Sequence, residues 1–325
     1  MPRLPVLLLL LGVALGVPAP AADAQDDAAA EHPVARPAAQ SRGEALADGL
    51  RRQLEAATQL ELGSGDPFLA LWQPAASARP RGVLIILPGE GETADWPRAI
   101  APLRRGLAGH GWHTLSLTPA DPPPSPGPRP PQPASMAPAQ STEAASATSE
   151  SAAPPASPQA EATGEDDPPP AANGTEALPD ATPPGHAERM QARLAAAVAH
   201  AQAQQAPVII LLGHGTGAYW ASRYLAQARP DDVDRLIVVD PRTPATAERP
   251  LEAYLATLAL AIGDFHTGDR PVARQQAMQR RDAMRRAGHA DYRQVALPNL
   301  QGDRHADQQQ LLRRVRGWLE GQPPR

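Results

Sequence analysis

The chain of 325 residues contains no cysteine, and although 30 of its residues are basic, none is lysine; all are arginine. Without cysteine there is no disulfide framework, no thiolate nucleophile, no Cys-ligated zinc and no lipidated cysteine anchor. Aromatic residues make up only 3% of the sequence, whereas there are 40 prolines, a poor composition for a single packed core. A net charge of -5 supplies no global positive field to draw in phosphates, so no nucleic acid is expected as partner. There is no Gly-x-x-x-x-Gly-Lys loop and no zinc-type ligand spacing, so neither cofactor nor metal is expected.

The prolines are unevenly placed. Residues 119–184 hold 19 of them, no aromatic residue, and nine acids against the single base Arg129. Such a stretch buries too little apolar surface to offset its ordering entropy and should be a disordered, acidic Pro/Ala/Ser-rich insertion. Removing its -8 from the -5 of the whole chain leaves +3 elsewhere. At the other extreme, residues 4–17 form an apolar run behind Arg3, and Ala22-Asp23-Ala24 offers a small-x-small cleavage pattern. The run is shorter than the roughly 20 residues of a spanning helix. Residues 1–24 therefore read as a signal peptide, which would place the mature protein in the periplasm or outside the cell. Residues 25–41 follow as a disordered segment, leaving 42–118 and 185–321 as two parts of one ordered domain.

Within those parts strands and helices alternate. A helix is expected over 42–60, a strand over 68–72, and the continuous run Val-Leu-Ile-Ile-Leu at 83–87 reads as a strand covered on both faces. A helix over 97–108 and a strand over 112–117 complete the first part. The second should contain a helix at 187–204, a strand at 208–212 and a helix at 218–228. A strand at 236–239, a short helix ending near 252–256 and a strand at 258–262 come next. A helix at 272–287, a strand at 292–297 and a closing helix at 308–319 finish it. This alternation predicts an α/β fold, a mostly parallel sheet with helices on both faces. Ligands of such sheets bind beyond the carboxyl ends of the strands, here the loops 88–96, 213–217, 240–247, 263–270 and 298–306.

The most specific pattern is Leu212-Gly213-His214-Gly215-Thr216-Gly217-Ala218, a strand, a glycine-rich turn and a helix. It looks like the Gly-x-Ser-x-Gly nucleophile elbow of the α/β-hydrolase fold, in which a sharp turn lifts a serine above the sheet. The nucleophile position, however, is Gly215, which has no side chain. Thr216 is one residue on and should point elsewhere; it remains the candidate hydroxyl, with a water as the other candidate nucleophile. The glycines of Pro88-Gly89-Glu90-Gly91-Glu92 would let main-chain N–H groups at Gly89 and Glu90 face a ligand, together with those at Gly215 and Thr216. Candidate acids are Asp240 and Asp264, and the candidate base is His305, in the segment after the last strand. At the usual Gly-x-x-Asp spacing after Gly263 stands His266 instead.

With these residues in view, the chain resembles the bacterial family known as domain of unknown function 3530, a branch of the α/β-hydrolase fold. The likeness rests on the segments 80–117, 211–225 and 311–320, and most specifically on the phrase from Asp95-Trp96-Pro97 to Pro102-Leu103-Arg104-Arg105. The resemblance implies the fold and an exported bacterial protein, and carries no established activity. Two functions follow from the residues: a hydrolase of esters or amides lacking the serine nucleophile, or a non-catalytic binding protein for a small anionic ligand or envelope component. Residues 270–325 also carry 12 arginines against five acids, and the Arg280, Arg281, Arg285, Arg286 and Arg313, Arg314, Arg316 groups are candidate contacts for anionic surfaces.

Overall fold

The strand Gly82–Leu87 (β3) is buried at every position, because its side chains alternate between two hydrophobic layers. Numbered in chain order, the other strands are β1 (Gln59–Leu62), β2 (Phe68–Gln73), β4 (Trp112–Leu117), β5 (Ile209–His214), β6 (Val233–Val239), β7 (Ala261–Thr267) and β8 (Tyr292–Leu297). The computed structural model describes residues 40–123, 184–268, 271–298 and 303–322. The stretch 1–24 expected to be a signal peptide, residues 25–39 and nearly all of the Pro-rich segment (124–183) lie outside the described residues.

The eight strands form one sheet in the order β1-β2-β4-β3-β5-β6-β7-β8. β1 and β2 pair antiparallel, as do β2 and β4, and every other pairing is parallel. Val83, Ile85 and Leu87 face one layer with Ile209 and Leu211, under α3 (His186–Ala203), α4 (Thr216–Ala228), α5 (Leu251–Leu255) and α6 (Pro271–Arg286). Leu84 and Ile86 face the other with Ile210 and Leu212, under α2 (Ile100–Ala108) and α7 (Arg304–Glu320). Each such buried Leu or Ile contributes about 1.5–3 kcal/mol relative to exposure. A smaller group, Ala47, Leu50, Leu69, Leu71 and Ala94, seats α1 (Arg42–Gln53) beside β2.

From β3 the chain crosses to β4 on one side and, after residues 124–183, to β5 on the other. The strand order reverses between β3 and β5, and there the loops that follow them part to leave a crevice. The elbow lies at that point, in the middle of the sheet.

Three expectations are corrected. The helix of 42–60 ends at Gln53; Ala56–Thr58 is a single 3-10 turn and Gln59–Leu62 is an edge strand. The penultimate strand lies at Ala261–Thr267 rather than 258–262, since Leu258 packs with α5 and the strand proper carries the polar Asp264 and His266 indoors. Consequently 263–267 is not loop, and helix α7 begins at Arg304, so that His305 is helical.

Candidate functional site

The glycines of the elbow serve two different ends. A Cβ on Gly213 would stand 2.4 Å from Ala218 Cα, and one on Gly217 would stand 2.2 Å from Leu87 O, so both are needed for α4 to lie against β5 and β3. Gly215 is instead favoured by its dihedrals, φ 55° and ψ -125°, a conformation that strains a side-chain-bearing residue. Its N–H donates to Val239 O (3.0 Å), and its carbonyl accepts from Arg242 N–H (2.9 Å). These two bonds pin the loop after β6 across the elbow.

That loop leaves β6 through Asp240 at φ 43°, a positive value that aspartate tolerates better than most residues. Asp240 Oδ1 accepts from Thr267 N–H (2.7 Å) and Thr267 Oγ1–H (2.8 Å), tying the end of β6 to the end of β7. The reversal aims the Arg242 guanidinium at the elbow. A Cβ placed on Gly215 would find Arg242 Nη2 at 3.5 Å and Gly89 Cα at 3.7 Å. The direction in which a nucleophile would point is therefore faced by a cation.

The loop after β3 supplies the opposite wall. Glu90 N–H donates to Thr216 Oγ1 at 2.6 Å, so this main-chain donor is held by a threonine hydroxyl. Glu92 Oε2 accepts from Gly89 N–H (2.8 Å) and pairs with His214 Nδ1 at 2.7 Å. Burial opposes ionisation of Glu92, but the His214 hydrogen bond and charge, the Gly89 N–H and the Arg242 charge outweigh it and hold its pKa below the ordinary value. The loop is steadied by the residues just after it: Asp95 bridges Arg104 (2.7 Å) and Arg105 (2.5 Å), and Ser116 Oγ–H donates to Ala94 O (2.6 Å).

Between these walls is a cleft of about 310 Å³ lined by Gly89 to Glu92, Thr216, Arg242, Arg42, Asp121 and Pro122. Asp121 marks the start of the long connection between β4 and α3. Its carboxylate accepts from Gly43 N–H (2.8 Å), and its carbonyl accepts from Arg189 (3.0 Å), which also binds Pro184 O (2.7 Å). Arg189 thus clamps together the two ends of that connection beside the cleft.

The structure brings Gly89, Glu90, Gly215 and Thr216 to one place, but the expected ligand-facing N–H groups of Gly89, Glu90 and Gly215 donate instead to Glu92, Thr216 Oγ1 and Val239 O. Asp240 is nearby but engaged with Thr267. Asp264 is fully buried within β7 and bound bidentate by Arg280 (2.7 and 3.1 Å), with Tyr292 O–H (2.5 Å) and Gln294 (3.0 Å) completing its shell. Burial and the Asp264 charge both push the Tyr292 pKa up. His266, on the same face of β7, has a buried Nδ1 without a partner among the described residues, and burial pushes its pKa down. His305 is exposed on the first turn of α7, where Asp303 caps the helix through Ala306 N–H (2.9 Å). Among the described residues no hydrogen bond joins His305 to Asp240, Asp264 or Thr216.

The arginine groups also separate. Arg280 is buried with Asp264, while α6 and α7 lie on opposite faces of the sheet, so they form no single basic patch. Sequence reasoning missed Arg42, Glu92 and Arg242 as site side chains. Arg242 and Glu92 fall in loops flagged at the strand ends, whereas nothing local in the sequence places Arg42 over the cleft. Among the described residues no group of three His, Asp or Glu could hold a metal ion, and no helix is long and apolar enough to cross a membrane.

Residues 4–321 match the family described as Protein of unknown function (DUF3530). The chain belongs to that family. Its described core has the α/β-hydrolase fold, and solved structures share it. Est1E from Butyrivibrio proteoclasticus, in a structure with ferulic acid bound, is 10% identical with a TM-score of 0.50, covering 80% of this chain and 99% of its own. An alpha-beta serine hydrolase homologue from Coxiella burnetii is 15% identical with a TM-score of 0.49, covering 81% and 99%. A putative alpha/beta hydrolase from Agrobacterium tumefaciens is 15% identical with a TM-score of 0.49, covering 81% and 97%. At these identities the likeness shows the fold alone. No curated protein matches the chain.

Proposed function

We propose that this DUF3530 member is a non-catalytic binding protein that holds a small anion in the cleft above its elbow. The observation that carries this reading is the Arg242 guanidinium, 3.5 Å from the Cβ position of Gly215. Acyl transfer needs a nucleophile in hydrogen-bond reach of a base. Here the elbow offers no side chain, the Thr216 hydroxyl is committed to Glu90 N–H, and His305 is exposed on α7. An anion, by contrast, meets Arg242 and Arg42, neither of them ion-paired among the described residues, and Thr216 at the start of the 13-residue helix α4. Of the three acids around the cleft, Glu92 is engaged by His214 and Gly89 and Asp121 by Gly43, while the Glu90 carboxylate has no hydrogen-bonded or ion-paired partner among the described residues and is the one the two arginines must outweigh. The Arg3 and 4–17 pattern supports export, so the ligand would be a periplasmic or extracellular small molecule or envelope component.

A second reading, hydrolysis by an activated water, rests on the His214–Glu92 pair, a carboxylate-oriented imidazole one residue before Gly215. Calorimetric titration with inorganic phosphate and acetate, beside an assay with short-chain chromogenic esters, separates the two. Anion binding that falls at least tenfold in Arg242→Ala, with no ester turnover, supports the binding protein. Turnover by the parent that disappears in His214→Gln, without anion binding, would replace it with the hydrolase.

A further inference from the structure

The cleft is lined by charges of both signs, Arg42 and Arg242 against Glu90, Glu92 and Asp121. Glu92 is held by His214 and Gly89 N–H, and Asp121 by Gly43 N–H, so the two arginines and Glu90 stay open to a ligand. No ion pair joins Glu90 to either arginine among the described residues, although all three line one cleft. Glu90 and Arg242 stand over adjacent residues of the elbow. The Glu90 main chain is tied to Thr216 Oγ1 (2.6 Å), and Arg242 Nη2 lies 3.5 Å from the Cβ position of Gly215. The Glu90 carboxylate is near enough to His186, at the start of α3, to act on its charge, whereas Arg242 acts on that of Glu92. The cleft thus presents an open carboxylate and an open guanidinium that are too far apart to pair with each other.

A plain anion placed at Arg242 leaves the Glu90 charge unanswered and takes its repulsion. A plain cation placed at Glu90 meets the two arginines instead. A molecule that carries both charges satisfies each pole, and both contacts are charge-assisted. By the measure on which one water needs about 10–15 Å³, the cleft of about 310 Å³ has room for a molecule of amino-acid size. We infer that the ligand is a short aminocarboxylate zwitterion, its carboxylate on Arg242 above Gly215 and its ammonium on Glu90. This rests on the anion reading of the cleft and deepens it by naming the second charge. The same arrangement discriminates against acids that lack the ammonium, since they bring a like charge towards Glu90.

The full chain and Glu90→Gln should be titrated calorimetrically at neutral pH and low ionic strength with matched pairs: acetate and glycine, propionate and β-alanine, butyrate and 4-aminobutyrate. Within each pair the chain and carboxylate are the same and only the ammonium differs. Glu90 is exposed and bonds Thr216 through its main chain, so the variant keeps the fold. In the parent at least one amino acid should bind about fivefold tighter than its partner, the upper end for an exposed charge pair. The pair with the largest ratio reads the separation of the two charges. In Glu90→Gln that advantage should disappear, while the alkyl acids bind as tightly as before or tighter because the repelling charge is gone. If the alkyl acids bind the parent and no amino acid exceeds its partner, the zwitterion inference is wrong and the anion cleft stands. An ammonium advantage retained in Glu90→Gln overturns the inference in the same way. If no member of any pair binds, the anion reading fails with it.

Discussion

Replacing Gly215 with alanine should destabilise the protein through the backbone alone. A Cβ there meets nothing closer than Arg242 Nη2 at 3.5 Å, an ordinary contact, so no overlap contributes. The dihedrals, φ 55° and ψ -125°, are what the alanine must adopt. Holding a side-chain-bearing residue in such a region costs about 1–3 kcal/mol. Part of this is offset because alanine removes about 0.4–1 kcal/mol of conformational freedom from the unfolded chain. The net is about 1–2 kcal/mol, which for an ordered domain of this size lowers the melting temperature by roughly 2–8 °C. Gly217→Ala is the contrast: its Cβ would stand 2.2 Å from Leu87 O and 2.5 Å from Pro88 O, main-chain atoms that cannot rotate away. That variant should lose far more, or fail to fold. Circular dichroism melts of both variants beside the parent read the difference. A Gly215→Ala variant melting within about 1 °C of the parent would show that the turn relaxes and that packing does not impose the elbow conformation. Equal losses in the two variants would show that Gly215 is crowded rather than strained.

Asp264→Asn should cost about 3–5 kcal/mol, because it leaves the buried Arg280 guanidinium without its counter-charge, and chemical denaturation will read it. The pKa values of His113, His186, His200 and His266 are all lowered from 6.5, first by burial, so the fold prefers them neutral. Their contribution is present above pH 6.5 and is lost as pH falls through the lower folded values, so the melting temperature should drop as pH falls below about 6.5. Substituting His266 by Gln should shallow that slope. The Glu92 pKa is lowered from 4.5, so the stability it contributes is present above pH 4.5 and disappears as pH falls through its folded value. Glu92→Gln should remove that part of the acid limb.

Much of the fold can be read from local pattern, because buried parallel strands are continuous apolar runs and the helices between them carry a stripe of 3.6 period. β3 and β5 are cases in point: Val83 to Leu87 and Ile209 to Leu212 feed both layers. The pattern failed where tertiary context decided the outcome. β1 has the sequence Gln-Leu-Glu-Leu, too short and polar to stand apart from the helix before it, and it forms because β2 offers an antiparallel edge. β7 was displaced because its polar interior residue Asp264 is satisfied by Arg280, Tyr292 and Gln294 from α6 and β8, partners distant in sequence. The elbow was visible as spaced glycines, and their distinct roles emerge only when Ala218, Leu87 and Arg242 are placed around them. Arg242 reaches Gly215 by way of a positive-φ aspartate, and Arg42 reaches the cleft on a helix anchored through Gly43 by Asp121, 78 residues beyond that glycine. Neither convergence leaves a periodic trace in the sequence.

If the Arg242 guanidinium, rather than a nucleophile, acts above Gly215, acetate should bind the parent saturably in calorimetry at low ionic strength and at least tenfold more weakly to Arg242→Ala, whose melting temperature stays within about 1–2 °C of the parent. Binding of equal strength in the two proteins would show that this guanidinium holds no anion.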